Sequence, residues 1–213
     1  MPDINDLPTE LMVETFSHLE LGDLTRCMRS SKSFKAITEH SAFDKIFFRT
    51  KTILSNNLID LDELEINPVL EGLAIHYLCK HPIEDAEFSL HSSDSTKWRS
   101  LPLIESSAAK QNASEPPLTH ITLRPYIFRG REDDHSFDVE VKAEQGVTVL
   151  DVMKRLCGYY LIPGMLHDER HCFFEGFDID DDSTKEKIIF SAVLQNDTPP
   201  LLHNRVASKN LAP

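Results

Sequence analysis

Between Leu7 and Phe48 the apolar side chains recur at helical spacing. Leu7, Leu11, Thr15/Phe16 and Leu19 lie three to four residues apart, which predicts a single stripe on one helix. Pro8 suits a first helical position, because its missing N–H has no partner there and its φ is already helical. Glu20-Leu21-Gly22 breaks the pattern and Asp23-Leu24 reopens it, with a negative charge where a helix N-terminus favours one. Phe34 and Ile37 follow Ser30-Ser31, and Phe43, Ile46, Phe47 and Phe48 close the run. A compact set of short helices is expected over residues 1–50.

The next stretch is less regular. Asn67-Pro68 is a good helix start, and Val69, Leu70, Leu73, Ala74, Tyr77 and Leu78 give a helical stripe that His81-Pro82 should end. Ser89, Ser92, Ser93 and Ser95 mark a polar stretch before Trp98 and Leu101. Glu105 to Pro117 has no large apolar residue and ends in Pro116-Pro117, which predicts a linker. Residues 51–117 are therefore expected to be a helical connector followed by a polar linker.

After Pro117 the period changes to two. Ile121, Leu123 and Ile127 alternate with Thr122, Arg124 and Phe128, and Phe137, Val139 and Val141 alternate with Asp138, Glu140 and Lys142. Gly130 to Asp134 reads as the turn between them. Thr148 with Asp151 forms a capping-box-like start for a helix carrying Val149, Val152, Met153, Leu156 and Tyr160. Two more strand-like runs, Cys172 to Phe177 and Lys187 to Leu194, complete a strand-strand-helix-strand-strand order. The fold class is α+β: N-terminal helices, a connector, and a small sheet packed on one helix over residues 118–195. Val152 and Leu156 should face Phe137, Val139 and Val141. Residues 196–213 are polar and proline-bearing, and are expected to form a flexible tail.

Charge narrows the function. The net charge of −13 argues against general nucleic-acid binding and against docking on an anionic membrane. No apolar run has the length to span a bilayer. The acidic opening Met-Pro-Asp-Ile-Asn-Asp lacks a basic and apolar leader, so the expected location is cytoplasmic and/or nuclear. Cys27, Cys79, Cys157 and Cys172 form no Cys-x-x-Cys pair, and Cys27 and Cys157 fall within apolar helical patterns as buried thiols.

Leu7, Pro8, Glu10, Leu11, Phe16, Leu19, Asp23, Leu24, Lys32, Phe34, Lys35 and Ile37 resemble the F-box pattern. Thr15, Ser30 and Asp44 depart from it, standing where a branched aliphatic, Val and Trp are usual. The resemblance implies three helices that dock on the Skp-type adaptor of a cullin–RING ubiquitin ligase. It implies a chain that acts as substrate receptor, with adaptor, cullin and a protein substrate as partners and no catalysis of its own. Leu7, Pro8, Leu11, Phe16, Leu19, Leu24, Phe34 and Ile37 are the candidate adaptor-docking residues and the helices beneath them. An F-box scaffold outside ubiquitination is the alternative, and an enzyme in the C-terminal half is the third reading. Further on, Pro116-Pro117-Leu118-Thr119-His120-Ile121, Phe137-Asp138-Val139-Glu140-Val141, Gly146-Val147-Thr148-Val149-Leu150-Asp151-Val152 and Phe174-Glu175-Gly176-Phe177 resemble a domain that follows F-boxes in many fungal proteins.

Two other constellations bear on chemistry. His167 and His171 are four apart beside Glu169 and Cys172, but a zinc site needs three or four convergent ligands, and Glu169 is at the wrong offset for His-Glu-x-x-His. Asp178, Asp180, Asp181 and Asp182 resemble the start of a calcium loop, yet Ser183 and Ile189 stand where its Gly and Glu are required. No Gly-x-Ser-x-Gly or phosphate-binding glycine loop is present. Neither metal nor cofactor is expected.

Overall fold

The computed structural model describes residues 7–53, 59–71, 75–76, 83, 87–91, 98–125, 137–162 and 173–195. Its N-terminal part is helical: α1 (Thr9–Phe16), α2 (Leu21–Ser30), α3 (Lys32–Thr38) and a 3-10 turn at Ser41–Phe43. Ser31 separates α2 from α3 in extended backbone, and its hydroxyl accepts a hydrogen bond from the Ser33 N–H. That satisfies one orphan donor at the new helix start. Met12, Phe16, Leu24, Ile37, Phe43 and Phe47 close into one core. Phe34 meets Phe16 edge-on, with ring centres 5.3 Å apart.

The packed stripe keeps Phe16 and Leu19 of the predicted one and takes Met12 in place of Leu7 and Leu11. Met12 and Phe16 are buried, whereas Leu7 and Leu11 stand at the surface. Both pairs have four-residue spacing, and α3 packs against the Met12–Phe16 edge. Leu7 precedes α1, and within the helix periodicity alone does not choose between the neighbouring positions Leu11 and Met12.

Among the described residues of 51–117, short strands and 3-10 turns outnumber the one short helix, so the expected helical connector is not what forms there. Asn67 does cap α4 (Pro68–Glu71), accepting from the Val69 N–H at 3.0 Å. The helix does not continue to Leu78, because Ile75–His76 is a short strand, β2. Leu73, Ala74, Tyr77 and Leu78 themselves lie outside the described residues. β1 (Glu65–Ile66) pairs with β5 (Ser114–Glu115), and β3 (Glu87–His91) pairs with β4 (Trp98–Pro102), both antiparallel.

Much of the stretch predicted as a linker is packed inside, although Glu105, Ser107 and Lys110 are exposed. Ala109, Ala113, Ser114 and Glu115 are buried. The Ala113 N–H donates to Val147 O at 2.8 Å, and Ala113 O accepts from the Asn67 N–H at 2.9 Å. Large side chains are missing here because backbone runs against backbone, a cause of small-residue composition quite different from solvent exposure.

The C-terminal order is as the sequence predicts: β6 (His120–Arg124), β7 (Val139–Lys142), α5 (Val149–Tyr160), β8 (Phe173–Ile179) and β9 (Ile189–Gln195). The sheet order is β2-β8-β9-β6-β7, with β6 parallel to β9 and the other pairings antiparallel. The connector thus contributes an edge strand. Because β6 is internal, Ile121, Thr122 and Leu123 are all buried, so its alternation does not mean one wet face. Thr148 and Asp151 form the expected capping box on α5. Val149, Val152, Met153 and Leu156 share a core with Val141, and Phe137 and Val139 pack against it. β8 bulges between Phe174 and Gly176.

Candidate functional site

The helical N-terminal unit sorts the eight candidate residues. Phe16, Leu24 and Ile37 are buried in its core, and Leu19 and Phe34 are half-buried against it. Leu7, Pro8 and Leu11 are at the surface, with Leu7 44% and Leu11 49% exposed. Pro8 is the N-cap of α1 with extended ψ, and its carbonyl accepts from the Met12 N–H at 3.1 Å. Leu7, Pro8 and Leu11 therefore gather at the head of α1, away from the core. The eight positions form two sets: an interior five and an outward three.

The three departures from the F-box pattern are locally satisfied. Thr15 Oγ1 donates to Leu11 O at 2.7 Å, and Ser30 Oγ donates to Cys27 O at 2.8 Å. Asp44 pairs with Arg49 at 3.3 Å, while Arg49 Nη2 donates to Thr38 O at 2.7 Å and the guanidinium lies over the Phe47 ring. An ion pair tethers the last turn here.

Below this unit the chain crosses to the second core. The Asn112 N–H donates to Phe48 O, and Asn112 Nδ2 donates to Thr50 O, both at 2.8 Å. Asn67 Nδ2 in turn donates to Asn112 O at 2.9 Å. A cleft of about 750 Å³ opens beside this junction, walled by Ile46 and Phe48 on one side and by Ile66 and Ile179 on the other. Lys45, Glu65, Glu71 and Asp178 also line it. Glu115 lies across the β1–β5 ladder from Glu65. Burial pushes the Glu115 carboxyl up; a Thr50 hydrogen bond and Lys45 oppose this, and Glu65 and Asp44 add to it. None of Asn112, Glu115, Glu65 and Glu71 carries a motif, so sequence reasoning gave no sign of the cleft.

The acidic run at Asp178 to Asp182 works as an ion-pair anchor. Arg124 Nη1 reaches Asp180 at 2.6 Å and Asp182 at 2.9 Å, and Arg124 Nε reaches Asp138 at 3.3 Å. Lys187 closes on Asp138 at 2.9 Å. Burial works against the ionised form of Asp180, but the Ser191 hydroxyl, the Asp182 N–H and Arg124 outweigh it and hold that carboxyl below its ordinary value. Among the described residues no group of three His, Cys, Asp or Glu is placed to hold a metal. His167, Glu169, His171 and Cys172 lie outside the described residues. No described helix is long and apolar enough to cross a membrane.

The N-terminal unit is thus three short helices closed on one core, with Leu7, Pro8 and Leu11 at its surface. Residues 4–49 match the family model described as F-box-like, so the N-terminal segment is an F-box-like domain. No curated protein and no solved structure matches the chain.

Proposed function

We propose that this chain is a substrate-receptor subunit of a Skp–cullin–F-box type ubiquitin ligase. The F-box-like domain docks on the Skp-type adaptor, the adaptor links it to cullin, and the region beyond residue 50 holds a protein substrate. Leu7 and Leu11 carry this reading. They are large apolar side chains held at the surface of a domain whose core closes without them. Pro8 stiffens the chain between them, which lowers the entropy lost on docking. An exposed apolar patch of this kind is a liability unless a partner covers it. Such a subunit acts by holding substrate near the transferring enzyme, so it needs no catalysis of its own. Its place of work is the cytoplasm or nucleus.

The test is quantitative capture of a purified Skp-type adaptor by the wild type and by Leu7→Ala/Leu11→Ala. Truncation at hot-spot positions costs about 2 kcal/mol or more, which is roughly thirtyfold in affinity. Circular dichroism should be unchanged, because neither side chain belongs to the core. Equal capture by both proteins removes these leucines from the interface, and no capture by wild type ends the reading. Adaptor without cullin in the co-purified complex would make the chain a scaffold outside ubiquitination.

A further inference from the structure

Charge is unevenly spread along this chain. The whole molecule carries −13, yet between Leu24 and Ile53 seven Lys and Arg residues stand against two acids, Glu39 and Asp44. Four of these cations, Arg26, Arg29, Lys32 and Lys35, are exposed on α2 and α3. α2 gives Leu24, Cys27 and Met28 to the core, and α3 gives it Phe34 and Ile37. The cations are spaced by three residues within each helix, on the side away from those core positions. Arg29 and Lys32 flank the Ser30-Ser31 junction, so the two outward sides meet there. Arg26 pairs with Asp23 at 2.7 Å, whereas Arg29, Lys32 and Lys35 enter no ion pair among the described residues.

A second observation is independent of that count. Helix starts favour acids and helix ends favour cations. Lys32 opens α3, whose first turn holds no acid, and Glu39 is its C-cap. These two end charges run opposite to the order that stabilises a helix. Local stability therefore does not account for Lys32, and a residue that breaks a local rule marks a position held for something outside its own element.

We propose that the basic outward face of α2 and α3 steers an acidic surface of the Skp-type adaptor onto the F-box-like domain, where Leu7 and Leu11 then hold it. The inference rests on the substrate-receptor reading for the identity of the partner, and on the charge distribution for its chemistry. α3 packs against both α1 and α2. Packed helices lie about 8–10 Å apart, close to the Debye length of about 8 Å at physiological salt. Charges on α3 thus act on a partner arriving at the head of α1. Exposed charges set the rate of association, and apolar anchors set the lifetime. A compact acidic patch meets the basic face alone. A long polyanion such as a nucleic acid would run on over the acidic remainder and be repelled.

The experiment follows binding of the full chain to purified Skp-type adaptor by biolayer interferometry, at about 50 and about 300 mM NaCl. The wild-type association rate should fall about tenfold over that range, with the dissociation rate changed by less than about twofold. Lys32→Glu/Lys35→Glu should slow association by about tenfold or more at the lower salt and flatten the salt dependence. Lys154→Glu/Arg155→Glu, at exposed positions on α5, changes the net charge equally and should leave the rate within about twofold of wild type. Lys32→Glu alone should slow association severalfold while its denaturation midpoint holds or rises, because it places an acid at the start of α3. Structural damage would not produce that pair of results. Rates indifferent to salt, equal slowing by both double variants, or a change confined to dissociation overturns the proposal. Binding of a fluorescein-labelled oligonucleotide that Lys32→Glu/Lys35→Glu abolishes, with adaptor rates unchanged, assigns the face to nucleic acid and overturns it too. No capture by wild type ends the substrate-receptor reading and this proposal together; capture with rates unmoved by salt and charge reversal ends this proposal alone.

Discussion

Glu115 and Gly176 hold the most exposed stakes at the scale of single residues, one electrostatic and one steric. The Glu115 carboxyl is pushed up by burial, eased by Thr50 and Lys45 and burdened by Glu65 and Asp44. A group whose folded pKa is raised stabilises fully below its unfolded value, about pH 4, and loses that contribution as pH rises through the folded value. Glu115→Gln removes the cost of ionisation. Urea denaturation should therefore find the variant more stable than wild type at pH 7, with the gap narrowing toward pH 4. A constant gap would place the effect in packing. Gly176 has φ +127°, and a Cβ there would sit 2.3 Å from Glu71 O. The backbone of α4 is the obstacle, and it does not swing aside as a long side chain would. Gly176→Ala should cost about 2–5 kcal/mol from strain and overlap together, read as a lower denaturation midpoint. A loss below 0.5 kcal/mol would mean that β8 and α4 part easily.

Among the elements, α1 divides structure from function along its own circumference. Met12 and Phe16 face α3 and the core, while Leu7 and Leu11 face away. Met12→Ala should destabilise by about 2–5 kcal/mol, the range for truncating a buried large apolar side chain. Leu11→Ala should change stability by less than about 0.5 kcal/mol, as surface substitutions do. Thermal unfolding of the two variants side by side checks the pair, and equal losses would mean Leu11 is packed. The helix α5 has no such division. Its capping box and its face of Val149, Val152, Met153 and Leu156 agree with each other and with the sheet beneath. Agreement between local signal and global packing is the mark of a purely structural element.

For the whole molecule, the segment 105–117 is the clamp. It touches the F-box-like domain through Asn112 to Phe48 and Thr50, and the second core through Ala113 to Val147. Asn67 holds Asn112 from the third side. Native proteinase K digestion should spare residues 111–117, whose backbone groups are engaged and largely buried. Asn112→Ala should open it, with new cuts between residues 111 and 117 and a faster loss of the full-length band. Cleavage of the wild type there at the same rate would return the segment to the status of a linker.

What the sequence alone determined is local. The helix of residues 149–160, its capping box, the strands on either side of it and the F-box-like run from Leu7 to Ile37 were legible because each is written in neighbouring side chains. Two features were decided only by tertiary structure. Four-residue spacing fits Leu7–Leu11, which begins ahead of α1, as well as Met12–Phe16 within it, and packing against α3 buries the second pair. The segment 105–117 has the composition of a linker, and only backbone partners far away in the chain, at Phe48, Asn67 and Val147, made much of it part of the interior. The cleft has the same origin. Glu65 and Glu115 are fifty residues apart and become neighbours through strand pairing, which no local pattern encodes.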